Sequence, residues 1–218
     1  MMFLSWSQVK RYTMKTKTFK GFLSIISAIF FLLPVVHGQG NRMIACDSTA
    51  ILLIDIQMFY FPGSPGALVN PEEASLKAKQ ILEKSREQGV TVIHVRHESQ
   101  TGGDIHPNVL PIEGEKVITK REVNSFAGTD LLEFLQQKGI SHLIICGMMT
   151  HMCVEAATRA AHDLGFRCTV VSDACTTRDL RFGDHIINAR DVHLSTLATL
   201  QKTYATVLSV RELLEKMQ

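Results

Sequence analysis

The chain has 218 residues, 45% of them hydrophobic, with 23 basic residues against 21 acidic ones. That is enough apolar material for one α/β domain with a substantial core. It leaves no basic stripe for nucleic acid or an anionic membrane surface. The five cysteines, Cys46, Cys146, Cys153, Cys168 and Cys175, are odd in number and lack paired short spacing, so they do not read as a disulfide framework.

Lys10, Arg11, Lys15, Lys17 and Lys20 form a basic stretch without acids. An apolar run from Phe22 to Val36 follows. At about fifteen residues it is short for a membrane span of about twenty. Residues 1–38 therefore read as a signal peptide cleaved before Gln39, and Met14 competes with Met1 as the true start. The expected product, 39–218, is exported to a periplasmic or extracellular space and keeps no stable membrane span. Removing five basic residues leaves 18 against 21 acidic ones, a net charge of −3.

The folded part begins with a fully apolar strand at 50–54, which ends in Asp55-Ile56-Gln57. A carboxylate at the end of a buried strand is costly without a partner or a task. Phe59-Tyr60-Phe61 follows as an aromatic loop able to line an apolar pocket. Asn70 as cap, Pro71 and the acids Glu72 and Glu73 start a helix that stops at Gly89. A second strand, 90–95, leads into a loop over 96–115 that holds His97, Asp104 and His106. These residue types ligate metals and are equally ordinary loop residues.

A short strand at 116–120 ends in Lys120, the loop Asn124-Ser125-Phe126 follows, and Thr129 is expected to cap a helix over 130–138. The apolar run 141–145 reads as a buried parallel strand. The following stretch, Cys146-Gly147-Met148-Met149-Thr150-His151-Met152-Cys153-Val154, puts Cys153 in the first turn of a helix that ends at Gly165. A lone cysteine is commonly a small buried hydrophobe. A place at a strand-to-helix turn instead favours a nucleophilic thiolate, because unpaired N–H groups point there. A further strand at 167–171 ends near Asp173, expected as a tie for the strand end. A long helix is expected over 185–203, with His193 as a structural histidine. A strand at 205–208 and a helix at 210–217 close the chain. Alternating strands and helices predict a three-layer α/β/α fold with a mostly parallel central sheet. Asp55, Lys120 and Cys153 then share its carboxyl edge, where such sheets bind ligands.

These residues resemble the isochorismatase-like cysteine hydrolases, a family that includes nicotinamidases, N-carbamoylsarcosine amidases, ureidoacrylate amidohydrolases and isochorismatase. The resemblance rests on Leu52-Leu53-Ile54-Asp55-Ile56-Gln57, on Lys120 with Ser125-Phe126 and Thr129-Asp130-Leu131, on Gly147 to Val154, and on Val171-Ser172-Asp173-Ala174. It implies that 39–218 is a hydrolase domain with an Asp55–Lys120–Cys153 catalytic triad. It also implies an oxyanion hole from the N–H groups of Met149 and Cys153, and a cis peptide bond between Met148 and Met149. Cleavage of a small amide-like carbon–nitrogen bond through a thioester follows, with Gln57, Phe59 and Phe126 as substrate contacts and a homo-oligomer as the expected assembly.

Two departures bear on the substrate. Isochorismatases that cleave vinyl ethers lack the nucleophilic cysteine, and Cys153 argues against that branch. Nicotinamidases resemble this pattern but carry a metal motif just after the second strand and usually a tryptophan clamp. Here Asp104-Ile105-His106 lies late in its loop, and the single tryptophan, Trp6, is in the leader. The expectation is therefore no cofactor, with a zinc- or iron-dependent nicotinamidase as one alternative and a non-catalytic thiol protein as another.

Overall fold

The strands pair as six members of one parallel sheet in the computed structural model, which describes residues 44–217. The leader expected at 1–38 lies outside the described residues. The sheet order is β3-β2-β1-β4-β5-β8. At its centre β1 (Thr49–Ile54) pairs with β2 (Thr91–His97) on one side and β4 (His142–Met148) on the other. Every residue of β1 and β4 is buried, as expected of strands covered on both faces. Each isoleucine or leucine so buried contributes about 1.5–3 kcal/mol. β3 (Lys116–Lys120) forms one edge, while β5 (Arg167–Thr176) and β8 (Thr206–Leu208) complete the other side.

From β1 the chain steps through α1 (Pro71–Glu87) to β2, and from β4 it steps the opposite way through α3 (Glu155–Asp163) to β5. Right-handed crossovers that run in opposite directions put their helices on opposite faces, which gives the three-layer design. α1 packs with α5 (Val210–Lys216), and α3 with α4 (Ala189–Leu200). The reversal of direction lies between β1 and β4, the switch point where open α/β sheets form their crevice. No helix among the described residues is long and apolar enough to cross a membrane.

Three local expectations need correction. Asn70 precedes α1 with φ 49° and makes no side-chain cap bond. Thr129 is one place too early: α2 runs over Leu131–Gln137 behind Asp130, although the Thr129 hydroxyl accepts from the Leu131 N–H at 3.4 Å. The long helix at 185–203 is two pieces. A hairpin of β6 (Leu180–Phe182) and β7 (His185–Ile187) comes first, and α4 starts behind Asn188, whose side chain accepts from the Asp191 N–H. Asp173 does tie a strand end, its Oδ1 accepting from the Val210 N–H at 2.7 Å.

Candidate active site

β1 delivers Asp55 one residue past its end, in the left-handed region at φ 49°, a conformation that aspartate tolerates better than most side chains. The Asp55 N–H donates to the Val95 carbonyl at 2.8 Å, which anchors the turn to β2. β4 delivers Cys153 after Gly147, whose φ is 130° and whose absent Cβ would lie 2.0 Å from the Ile54 carbonyl oxygen. Only glycine lets the two strand ends approach this closely. The Met148–Met149 peptide bond is cis. Cys153 then sits in a π-helical turn, Thr150–Val154, rather than in the first turn of the α-helix. Such turns recur at functional sites. This one is held from α4 by His193, whose Nδ1 meets the Thr150 hydroxyl at 2.9 Å, and from beyond β5 by Thr177, whose hydroxyl meets His151 Nδ1 at 2.5 Å.

β3 delivers Lys120, 1% exposed. Its side chain crosses the end of β2 to reach the switch point, and its ammonium lies 2.8 Å from Asp55 Oδ2 and 3.3 Å from Cys153 Sγ. The structure thus brings the three residues from three strand ends into one buried cluster. Neither Asp55 oxygen receives a well-directed hydrogen bond. Burial accordingly raises its carboxyl above the usual range, although Lys120 opposes the shift. Burial, with the neighbouring Asp55 charge, pushes the Cys153 thiol up to about 12. This corrects the expectation of a resting thiolate: desolvation outweighs the helix terminus, so the sulfur keeps its proton until a base takes it. All five cysteines are free, and burial pushes Cys168 and Cys175 up to about 12 as well.

Of the expected substrate contacts, Phe59 lies in the turn Met58–Tyr60 that follows Asp55, its ring edge-on to Tyr60 at 4.4 Å. The other two are turned elsewhere. Gln57 is fully buried, and its amide is consumed by backbone: Nε2 donates to the carbonyls of His97 and Gly103, and Oε1 accepts from the His97 N–H. Phe126 stacks toward Phe166, at 6.2 Å between ring centres, beside the start of β5 and away from the carboxyl edge. His97, Asp104 and His106 do not converge as ligands, since no group of three metal-ligating side chains occurs among the described residues. His106 stacks on Phe61 and accepts the Asn108 N–H, while His97 faces Lys120. Those donors therefore do not fit a resident zinc or iron.

Sequence reasoning gave Tyr60 only as part of a pocket-lining aromatic loop and missed Arg178. Burial raises the Tyr60 hydroxyl above its ordinary value, and the nearby Asp55 charge adds to the shift. The exposed Arg178 lies near enough to act electrostatically on both Tyr60 and His151. Their signal was position: Tyr60 follows Asp55 by one turn of loop, and Arg178 lies just past the end of β5 on the same edge.

The chain is similar to known proteins. The model of the isochorismatase domain matches residues 49–211. The isochorismatase family protein YddQ of Bacillus subtilis is 42% identical over 179 residues, 77% of this chain and 99% of that protein. A crystal structure of an isochorismatase hydrolase from Oleispira antarctica superposes with a TM-score of 0.76 at 42% identity, covering 79% of this chain and 99% of the other. Maleamate amidohydrolase of Pseudomonas putida is 23% identical over 204 residues, 82% of this chain and 91% of its own length.

Proposed function

The chain belongs to the isochorismatase family of hydrolases, and within it we propose that this member cleaves a small amide through a thioester on Cys153. The observation that carries this reading is the buried ammonium of Lys120, placed within 2.8 Å of a carboxylate and 3.3 Å of a thiol. In the proposed cycle Asp55 takes the Sγ proton, and the sulfur attacks the acyl carbon. Because burial makes Asp55 a stronger base than a solvated carboxylate, its basicity is matched to a thiol that burial has also made weaker as an acid. Lys120 keeps the site neutralised while negative charge passes from oxygen to sulfur. The N–H groups of Met149 and Cys153 hold the tetrahedral oxyanion. Asp55 then protonates the leaving amine and afterwards activates the water that hydrolyses the thioester.

Similarity to an amidohydrolase supports the choice of a carbon–nitrogen bond. The exposed Arg178, close to Tyr60 and His151, supports a substrate with an anionic group. The test is ammonia release from a panel of primary amides with and without a carboxylate, comparing wild type with Cys153→Ala. At least one carboxylated amide should be turned over by wild type alone. Full activity in Cys153→Ala would overturn the covalent reading in favour of hydrolysis without an acyl-enzyme, as in the vinyl-ether branch.

A further inference from the structure

The Lys120 ammonium faces four acceptors with three hydrogens. Asp55 Oδ2 lies at 2.8 Å, the Glu122 carbonyl oxygen at 3.1 Å, His97 Nδ1 at 3.2 Å and Cys153 Sγ at 3.3 Å. An ammonium offers three N–H donors and no lone pair. His97 must therefore present the lone pair of Nδ1, with its own proton on Nε2. An imidazolium would set two donors against each other.

The histidine is held firmly in that place. It ends β2, in register with Lys120 across the β2–β3 pair. Its backbone N–H and carbonyl are both bonded to the buried Gln57 amide, two residues beyond Asp55. Asp55, Gln57, His97 and Lys120 form a closed ring of contacts around the sheet edge.

We propose that His97 is a positioning residue for Lys120. Together with the Glu122 carbonyl it pins two of the ammonium hydrogens, so that the third swings between the Asp55 carboxylate and the Cys153 thiolate as the proton moves the other way. Both ends of that exchange are within reach: the Lys120–Asp55 contact is short but poorly aligned, while the ammonium is directed at Cys153 Sγ. The two pinning contacts are nearly equal, the carboxylate is near, and the protonated sulfur, a weak acceptor, is farthest. When the thiol gives its proton to Asp55, charge leaves the oxygen and appears on sulfur, and one N–H follows it. Without His97 the ammonium has a second hydrogen to place and no fixed orientation. The thiolate then loses a charge-assisted partner some of the time.

The inference rests on the thiol mechanism above but is tested without a substrate, by the rate at which iodoacetamide alkylates Cys153, read by peptide mass spectrometry. His97→Ala should slow alkylation about tenfold, the scale of one hydrogen bond to a charged group. His97→Asn can present its Oδ1 where Nδ1 stood and should restore most of the wild-type rate. His97→Gln carries its oxygen one bond farther and should not. Circular dichroism melts identify any variant that fails to fold; if His97→Ala is one, the Asn and Gln pair decides. Equal rates for Asn and Gln, or a wild-type rate for Ala, would overturn the proposal. On an amide that wild type hydrolyses, His97→Ala should lower kcat and leave KM unchanged. If no amide is hydrolysed, the amide reading fails, while the alkylation series still decides the role of His97.

Discussion

Two clusters in this molecule have the same parts list and opposite characters. Each joins a carboxylate, a cation and a third titratable group. In one, Glu115 accepts from Arg86 Nε at 2.7 Å and Nη2 at 2.8 Å, from the Ile112 N–H at 3.0 Å, and meets His94 Nε2 at 2.8 Å. In the other, Asp55 has only the Lys120 ammonium at 2.8 Å and the Cys153 thiol as donors, neither well directed. Burial alone would raise both carboxyls. For Glu115 the bonds from Arg86, Ile112 and His94 prevail and pull it down to about 2. For Asp55 burial prevails. A carboxylate saturated with donors is a strut, because nothing is gained by protonating it. A carboxylate starved of donors is a base. The difference lies in how many directed N–H donors reach the oxygens, for Glu115 mostly from Arg86 and His94 with one more from backbone. Glu115 faces the turn at Ile112, which supplies one. Asp55 sits past the end of β1 in a left-handed kink that spends its own N–H on Val95.

The comparison breaks most sharply on activity. Asp55→Asn and Cys153→Ala should each lower turnover about 10,000-fold, and the double variant should lose little more, because the parts act as a unit. Glu115→Gln should leave kcat within about twofold if that cluster is only a strut, since Glu115 precedes the start of β3 and Lys120 is at its other end. Full additivity of the two site variants, in single-turnover assays, would separate Asp55 from the thiol. Next in size is the glycine that brings the site strands together. Gly147→Ala would place a methyl carbon against the Ile54 carbonyl. It should cost about 4 kcal/mol or more, seen as loss of soluble protein or a large fall in the urea midpoint. A wild-type midpoint would show that the strand ends can part. Glu115→Gln comes third. It leaves Arg86 and His94 without their anion and should lower stability by about 2 kcal/mol. An unchanged midpoint would make Glu115 a surface charge after all.

Much of this was legible in residue order. Strands ending at Asp55 and Lys120, and a third leading into the turn of Cys153, were marked by residue order, and the carboxyl-edge rule placed these three side chains together. Other features lay beyond a reading by periodicity. The π turn around Cys153 depends on hydroxyls and rings from distant elements, Thr150 with His193 and His151 with Thr177. Gln57 looked like a substrate ligand because it follows Asp55, yet its amide closes the long 98–115 loop, a contact 46 residues away in the case of Gly103. The second strand of the hairpin before α4 falls within the helix expected over 185–203, although Gly183-Asp184 marks the hairpin turn and Asn188 the helix start. His185, Ile186 and Ile187 also suit a helix, and only their exposure reveals a strand that packs on no core. Phe126 stood beside Ser125 in the matched segment, but an aromatic side chain goes where volume is available, here toward Phe166.

The subtlest contrast between the two carboxylates is the sign of their pH dependence. Glu115 has a folded value of about 2 against an ordinary 4.5. Its contribution to stability is full above pH 4.5 and is lost as the pH falls toward 2, because the unfolded chain binds the proton first. With half-open surroundings and screening, about 1–2 kcal/mol is expected over that window. Asp55 runs the other way. Its folded value lies above the ordinary 3.8, so the folded state is favoured below 3.8 and loses that advantage as the pH rises through the folded value. Asparagine imitates the protonated acid in shape and charge. Relative to wild type, Asp55→Asn should therefore gain stability as the pH rises, whereas Glu115→Gln should lose it. Urea midpoints of both variants and wild type, measured from pH 3 to pH 8, give the two difference curves. Curves of the same sign would mean that Lys120 satisfies Asp55 as fully as Arg86 satisfies Glu115. Asp55 would then be a second strut, and the proton from Cys153 would need another acceptor.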